Sequence, residues 1–299
     1  MPNKFIISKS YNKSRFDKWF KEEVINLPNS LIQKLLRKNQ IKVNNKKIKC
    51  SYRLTEGDSI SVYNLSNYKP TDLKKKIQYL PTIKERNRFK DFVVYDDNNY
   101  IVVNKPRGIA VQSGTKNLKN IIDTLKKTKY FEHAKPYIVH RLDKETSGVF
   151  IIAKNKETAQ FFTTLFRIRK IHKTYIAIVK GKVPRSLKKM EDFLEYFENN
   201  KKTKLKALTF LKVLKSNNKY SLLELNPKTG RKHQLRKQLF MRGFPIIGDE
   251  KYNLKHTKIF KDQAMLLHSS KIKFIKNDKK ISYEADSDEE FKKKLNLYF

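Results

Sequence analysis

The stretch "HRLDKETSG" (140–148) sets one acid among cations, then runs into turn-forming residues and a glycine. Apolar segments flank it, "PYIV" before and "VFIIA" after, so a buried strand stops for a charged turn and then resumes. Asp143 follows Arg141 by two residues, and on an extended segment the two side chains leave the same face. A guanidinium so placed holds a carboxylate ionised, as a nucleophile or an electrostatic stabiliser requires. The competing reading is a surface ion pair worth ~0–1 kcal/mol. Taken by itself, the stretch favours that plainer reading.

Three further segments bear on the choice. "NKPRGIAVQSG" (104–114) places a glycine-containing turn after a strand. "HKTYIAIVKG" (172–181) alternates so that Tyr175, Ala177 and Val179 share one face, which leaves Tyr175 open to a core role as well as a site role. "TGRKHQLRKQLFMRGFPIIGDEKY" (229–252) sets Arg231 and His233 after a turn, at the start of a helix. The free N–H groups of such a helix start, joined by cations, suit an anion.

Other site chemistry is unsupported. There is no G-x-x-x-x-G-K and no G-x-G-x-x-G, so no nucleotide cofactor is expected. The absence of G-x-S-x-G weakens Ser147 as a hydrolase nucleophile. The six histidines lack metal-ligand spacing, and Cys50 is the only cysteine, which excludes an internal disulfide and a cysteine-based zinc site. No metal is expected.

Composition narrows the partner. The 299 residues carry 68 Lys+Arg against 29 Asp+Glu, a net charge of +39. An AT-rich genome enriches lysine, but it enriches glutamate equally, so the uncompensated charge calls for a polyanion. Nucleic acid fits, because each neutralised phosphate releases counterions. No apolar run approaches the ~20 residues that span a bilayer, so no membrane span is expected. The first residues are basic without a secretory apolar core, which with the lone cysteine points to a reducing compartment, the cytoplasm.

These candidate residues need elements to position them. Residues 1–65 read as one small α/β unit. Phe16, Trp19 and Phe20 sit at helical spacing, a second helix runs from an Asn29/Ser30 cap through Leu31, Leu35 and Leu36, and "IKVNNKKI" signals a hairpin around Asn44-Asn45. Lys34, Arg37, Lys38, Lys42 and Lys46 gather on that helix and hairpin and form a candidate RNA-binding face. Residues 66–89, lysine-rich with two prolines, read as a linker with one short helix. Residues 90–299 read as an α+β domain with a mixed or antiparallel sheet. Its expected strands are "YIVVNK", "VFIIAK", "KTYIAIVKG", "YSLLEL" and "IKFI", and its expected helices are "NKETAQFFTTLFRI" and "RKHQLRKQLFMRG".

Two resemblances follow from these segments. "RFDKWF", "SLIQKLLRKNQIKVNNKKI" and "LTEGDSISV" resemble the alpha-L RNA-binding domain, a small fold shared by a ribosomal protein and several RNA-modifying enzymes. In the catalytic half, "NKPRGIAV", "HRLDKETSGVFIIAKN", "KTYIAIVKG", "TGRKHQLR", "PIIGDEKY" and "LLHSSKIKF" occur in the order found in pseudouridine synthases of the RluA type. With the small unit in front, the chain is most similar to the RluC-like branch, which acts on large-subunit ribosomal RNA.

The resemblance implies a cofactor-free isomerisation of uridine by a monomer. It makes Asp143 the catalytic aspartate and Tyr175 the active-site tyrosine. Arg231 becomes the basic partner of the aspartate, with Arg236, about one helical turn on, competing for that pairing or for an RNA contact. Arg141 becomes the wedge or phosphate contact that stabilises a flipped nucleotide. The chain departs from many relatives at Gln112, Gln238 and Phe244, where histidine is frequent.

Two other readings stand beside this one. The first is a non-catalytic ribosome-assembly factor that chaperones RNA. The second is a nucleoside or glycoside hydrolase using Asp143 with Glu145.

Overall fold

The computed structural model describes residues 2–70, 79–113, 119–198, 201–253 and 263–299. The middle of the expected linker (71–78) and Gly114 lie outside the described residues. Two compact units divide the chain, Met1–Lys76 and Ile77–Phe299.

The first unit is a three-stranded antiparallel sheet of order β1-β3-β2, with β1 Asn3–Ile6, β2 Ile41–Val43 and β3 Ser59–Val62, plus helices α1 (Phe16–Trp19) and α2 (Asn29–Arg37). Phe16, Trp19 and Phe20 all enter its core, but the helix they predict is a single α turn followed by a wider turn over Phe20–Val24. Ile32, Leu35 and Leu36 bury one face of α2, leaving Lys34, Arg37 and Lys38 exposed. The expected Asn29/Ser30 cap is absent: Pro28 occupies the cap position and supplies no side-chain bond.

The Asn44-Asn45 turn is real. Both residues are left-handed (φ 48° and 60°), as a two-residue hairpin turn demands and asparagine tolerates. Its return arm, however, contributes only a Val43–Lys46 bridge, and β2 finds its ladder on β3. Lys47 Nζ donates to the Arg37 carbonyl oxygen (3.2 Å), tying this turn to the end of α2.

Both ends of the expected linker are folded. Tyr68 packs on the first core, and Thr82 with Glu85 forms a capping box that starts α3 (Ile83–Arg88), the expected short helix. Phe89 then enters the core of the second unit.

The second unit is built on a ten-stranded mixed sheet. Its strands are β4 (Val93–Asp96), β5 (Tyr100–Lys105), β6 (Tyr137–Ile138), β7 (Ser147–Ala153), β8 (His172–Lys180), β9 (Lys189–Glu198), β10 (Lys201–Ser216), β11 (Tyr220–Pro227), β12 (Leu267–Lys276) and β13 (Lys279–Glu284). They order as β4-β5-β7-β12-β8-β11-β10-β9, with β6 on β7 and β13 on β12. Among the paired strands only β7 and β12 run parallel. Besides α3, its helices among the described residues are α4 (Ile121–Leu125), α5 (Lys156–Arg167), α6 (Gln234–Met241) and α7 (Glu289–Tyr298).

Every residue of β7 is buried, because both faces are covered. Phe150 and Ile152 pack with Ile121 and Leu125 of α4, while Val149, Ile151 and Ala153 pack with Phe162 of α5. The expected strands are all present. The long β9–β10 pair had no sequence expectation, although Ala207, Thr209, Leu211 and Val213 alternate inward. Alanine and threonine are weak inward signals between lysines, which hides the period of two.

Candidate active site

The turn that carries Asp143 lies between β6 and β7 and is braced from two sides and from within. Lys105, fully buried at the end of β5, donates to the carbonyl oxygens of Pro106 (2.8 Å), Ile109 (2.8 Å) and Lys144 (3.1 Å). The Gly108 amide also donates to the Lys144 carbonyl, at 3.0 Å. The "NKPRG" turn therefore clamps the chain one residue after Asp143. From the other side, the Ile151 amide donates to His140 Nε2 at 2.9 Å, and the ring packs between Phe150 and Phe166. Burial drives the His140 pKa down to about 3, so the imidazole stays neutral and keeps accepting that bond. Within the turn, the Thr146 amide donates to the Asp143 carbonyl oxygen at 3.1 Å.

Gly148 explains why the motif ends as it does. Its φ is 110°, and a Cβ there would lie 2.2 Å from the Ser269 carbonyl oxygen. Only glycine lets β12 approach β7 at this point. The same approach brings Ser269 to the hydroxyl of Tyr175 on β8. Burial pushes the Tyr175 pKa up to about 12; the bond to Ser269 opposes the rise and the charge of Asp143 adds to it. Tyr175 is thus a neutral phenol at physiological pH.

The cation beside Asp143 is Arg236. Its Nη1 donates to Asp143 Oδ2 at 3.2 Å, while Nε and Nη2 hold both oxygens of buried Asp249 at 2.7 and 2.8 Å. The guanidinium also lies over the Tyr252 ring, 5.2 Å from its centroid. Burial works against its charge, but Asp249 and then Asp143 outweigh that cost and raise the Arg236 pKa above its ordinary value. Asp249 is itself fixed by the amides of Lys251 and Tyr252, both at 3.0 Å.

Arg231 does not make the expected pairing. Its Nε donates to the Lys206 carbonyl oxygen at 3.1 Å, tethering it to β10. The reason is local backbone geometry. The helix expected from Arg231 begins only at Gln234, because His233 adopts a left-handed conformation (φ 54°). Such a residue costs ~1 kcal/mol. Here it sets the ring between two partners: Nδ1 lies 3.0 Å from the Tyr252 hydroxyl and Nε2 lies 3.7 Å from Asp143 Oδ1. The expected free amides are also partly used, since Gln234 Oε1 accepts from the Arg231 amide (3.1 Å) and the Thr229 hydroxyl (2.7 Å).

Arg141 likewise forms no ion pair with Asp143 among the described residues; it is exposed. Asp143, Tyr175, Arg231, Arg236 and Arg141 nevertheless line one cleft of about 510 Å³. Among the described residues Asp143 is the sole carboxylate on its lining, against seven Lys and Arg side chains. Glu145 lies outside this lining and contacts Lys144 at 3.7 Å, so the two-carboxylate geometry of a glycosidase is missing. The departures at Gln112, Gln238 and Phe244 also fall outside the lining. Gln238 is a buried strut whose side chain bonds Thr209 and Asp192.

Sequence reasoning missed Asp249, Tyr252 and the clamp of Lys105. "PIIGDEKY" carries part of the resemblance, but nothing local announces that its Asp249 is the buried partner of Arg236. Lys34, Arg37, Lys38 and Lys46 are exposed on the first unit and Lys42 is half-buried, so none of these belongs to the cleft.

Comparison with known proteins identifies the family. The family model described as RNA pseudouridylate synthase matches residues 99–240. "Ribosomal large subunit pseudouridine synthase C" of Buchnera aphidicola is 32% identical over 97% of this chain and 95% of its own length. The protein of that name from Rickettsia conorii is 36% identical over 87% of this chain and 88% of its own. Among solved structures, "Human RNA Pseudouridylate Synthase Domain Containing 4" aligns with a TM-score of 0.59 at 26% identity, covering 71% of this chain and 94% of that one. The chain belongs to the RNA pseudouridylate synthase family, in its RluA-type, RluC-like branch.

Proposed function

We propose that the protein isomerises specific uridines of large-subunit ribosomal RNA to pseudouridine, with Asp143 as the catalytic carboxylate. One observation carries the assignment of the site: among the described residues Asp143 is the only acid lining a cationic cleft, and a buried arginine grips it. The names of the relatives support the large-subunit substrate, and the net charge of +39 supports a polyanionic partner.

The reaction breaks the bond between ribose and a uracil nitrogen, turns the base and rejoins it through a ring carbon. No atom or electron is gained or lost overall, so no cofactor is consumed. Asp143 assists departure of the base from the sugar, or adds to the uracil ring; both routes need an ionised carboxylate held in one place. Arg236 holds the carboxylate in place, and Asp249 and Tyr252 hold Arg236. Tyr175 offers a ring face to the base and a protonated hydroxyl for proton transfer. A stacked uridine must be flipped out to reach the cleft, and exposed Arg141 at the cleft wall suits a contact that stabilises the flipped nucleotide. Arg231, tethered to β10, suits an RNA contact rather than the pairing with Asp143.

The first unit, with its exposed Lys34, Arg37, Lys38 and Lys46 and its resemblance to the alpha-L domain, suits RNA docking. The resemblance to the family supports action as a monomer, and a ribosomal RNA substrate supports a cytoplasmic location. No helix among the described residues is long and apolar enough to cross a membrane. The test is pseudouridine mapping in total RNA with the protein, without it, and with Asp143→Asn. A uridine that is converted by the wild type and unconverted by the variant is expected. Near-wild-type conversion by Asp143→Asn would remove the residue from the mechanism.

A further inference from the structure

Lys173 lies two residues before Tyr175 on β8, so both side chains leave the same face and both line the cleft. Its ammonium sits beside Gly230, 3.7 Å from where a Cβ of that residue would be. Among the described residues it makes no hydrogen bond and no ion pair, although it is half-buried. Burial alone moves its pKa, down to about 8, with no acid near enough to oppose the shift. Asp143 is already engaged by Arg236. A cation withdrawn from water without a partner is costly, and that cost is recovered only when an anion arrives.

The anion is identified by the chemistry of the substrate. Uracil is neutral, and its carbonyls can accept a hydrogen bond but cannot neutralise an ammonium. The negative groups on RNA are its phosphodiesters. Exposed Arg167 and Arg169, at the end of α5, line the same cleft as Lys173 and extend the positive wall outward. We propose that Lys173 is a positioning residue that binds a phosphodiester next to the target uridine. The inference rests on the reading that the uridine reacts at Asp143. The phosphodiester is unchanged by the isomerisation, so Lys173 binds ground state and transition state alike, and its loss appears in KM rather than in kcat.

The test uses a short RNA carrying the mapped uridine, with a neutral methylphosphonate replacing the linkage on its 5′ or its 3′ side. For the wild type, one of the two replacements is expected to raise KM roughly 10- to 100-fold, the range for a hydrogen bond to a charged group. Lys173→Met should raise KM comparably on normal RNA, and that same replacement should then add less than about twofold, because the pair acts as one interaction. Lys173→Arg should restore most of the loss. Effects that multiply instead of merging would overturn the proposal. So would a wild type indifferent to both replacements, a result that stands even if Lys173→Met fails to fold. Asp143→Asn separates the two readings: it should bind the normal and neutral RNAs with wild-type discrimination while converting neither. If Asp143→Asn converts the normal RNA, the reading of the cleft fails whatever the linkage data show.

Discussion

Positive charge is used in two different ways by the two units. On α2 and the Asn44-Asn45 turn, Lys34, Arg37, Lys38 and Lys46 stand in water, each free to be replaced by a neighbour. In the cleft, Arg236 is buried, gripped at both ends of Asp249, laid over Tyr252 and touching Asp143. Exposed cations keep their hydration and act through counterion release, so their effects add and fade with salt. A buried cation must be paired in one geometry, and removing a partner leaves an uncompensated charge. Affinity can therefore be spread over a surface, whereas catalysis depends on a few groups that cannot move.

The largest test of this contrast is Asp143→Asn. It should lower kcat by more than about 10⁴-fold, as loss of a catalytic nucleophile or base does. RNA affinity should hardly change, because Arg236 retains both bonds to Asp249. A large loss of affinity in equilibrium binding would put Asp143 in the docking role that the contrast denies it.

Asp249→Ala should fail differently. It strips Arg236 of its buried partner and should cost about 3–5 kcal/mol of stability in urea denaturation, with activity falling as well. Arg236→Met should abolish turnover more severely than Arg231→Met, and equal losses in single-turnover assays would contradict the observed pairing.

On the docking side, the combined Lys34→Ala, Arg37→Ala and Lys38→Ala change should raise KM. It should also flatten the plot of log Kd against log salt by about 2 units, at ~0.7–0.9 per phosphate contact. A change confined to kcat would erase the distinction between the units.

The smallest effect concerns pH. His140 is held neutral, its pKa depressed from the ordinary 6.5 to about 3 by burial, with the nearby charge of Lys173 adding to the shift. Between those values the unfolded chain binds the proton and the folded one does not. The His140 contribution is therefore complete above pH 6.5 and declines as pH falls toward 3, by at most ~1.4 kcal/mol per pH unit. Denaturation midpoints measured from pH 7.5 to 4.5 should fall for the wild type and fall less for His140→Gln.

Much of this was legible in the chain. The expected strands β5, β7, β8, β11 and β12 form, because long runs of branched and aromatic residues have no other way to be covered. Helix α5 follows its Asn155 cap, whose side chain accepts from the Thr158 amide at 2.8 Å. The β9–β10 pair was hidden by its lysines and glutamates. The start of α6 was misplaced by three residues, because a left-handed His233 leaves no compositional mark.

What the sequence determined by itself was the family, the α+β class, the aspartate in its turn and the strand that carries Tyr175. These depend on local patterns and on motif segments kept in order. What only the tertiary structure decided was the company Asp143 keeps. The motif "TGRKHQLR" offers both Arg231 and Arg236 as partners, and the fold selects Arg236, 93 positions away in the chain. The turn at His233 sets the phase of α6, and a period of 3.6 residues then points Arg236 inward while Arg231 stays outside the helix. Asp249, held by the Gly248 turn and the amides beyond it, fixes the arginine from the far side. A sequence names the residues able to pair, but burial and backbone phase select the pair that forms.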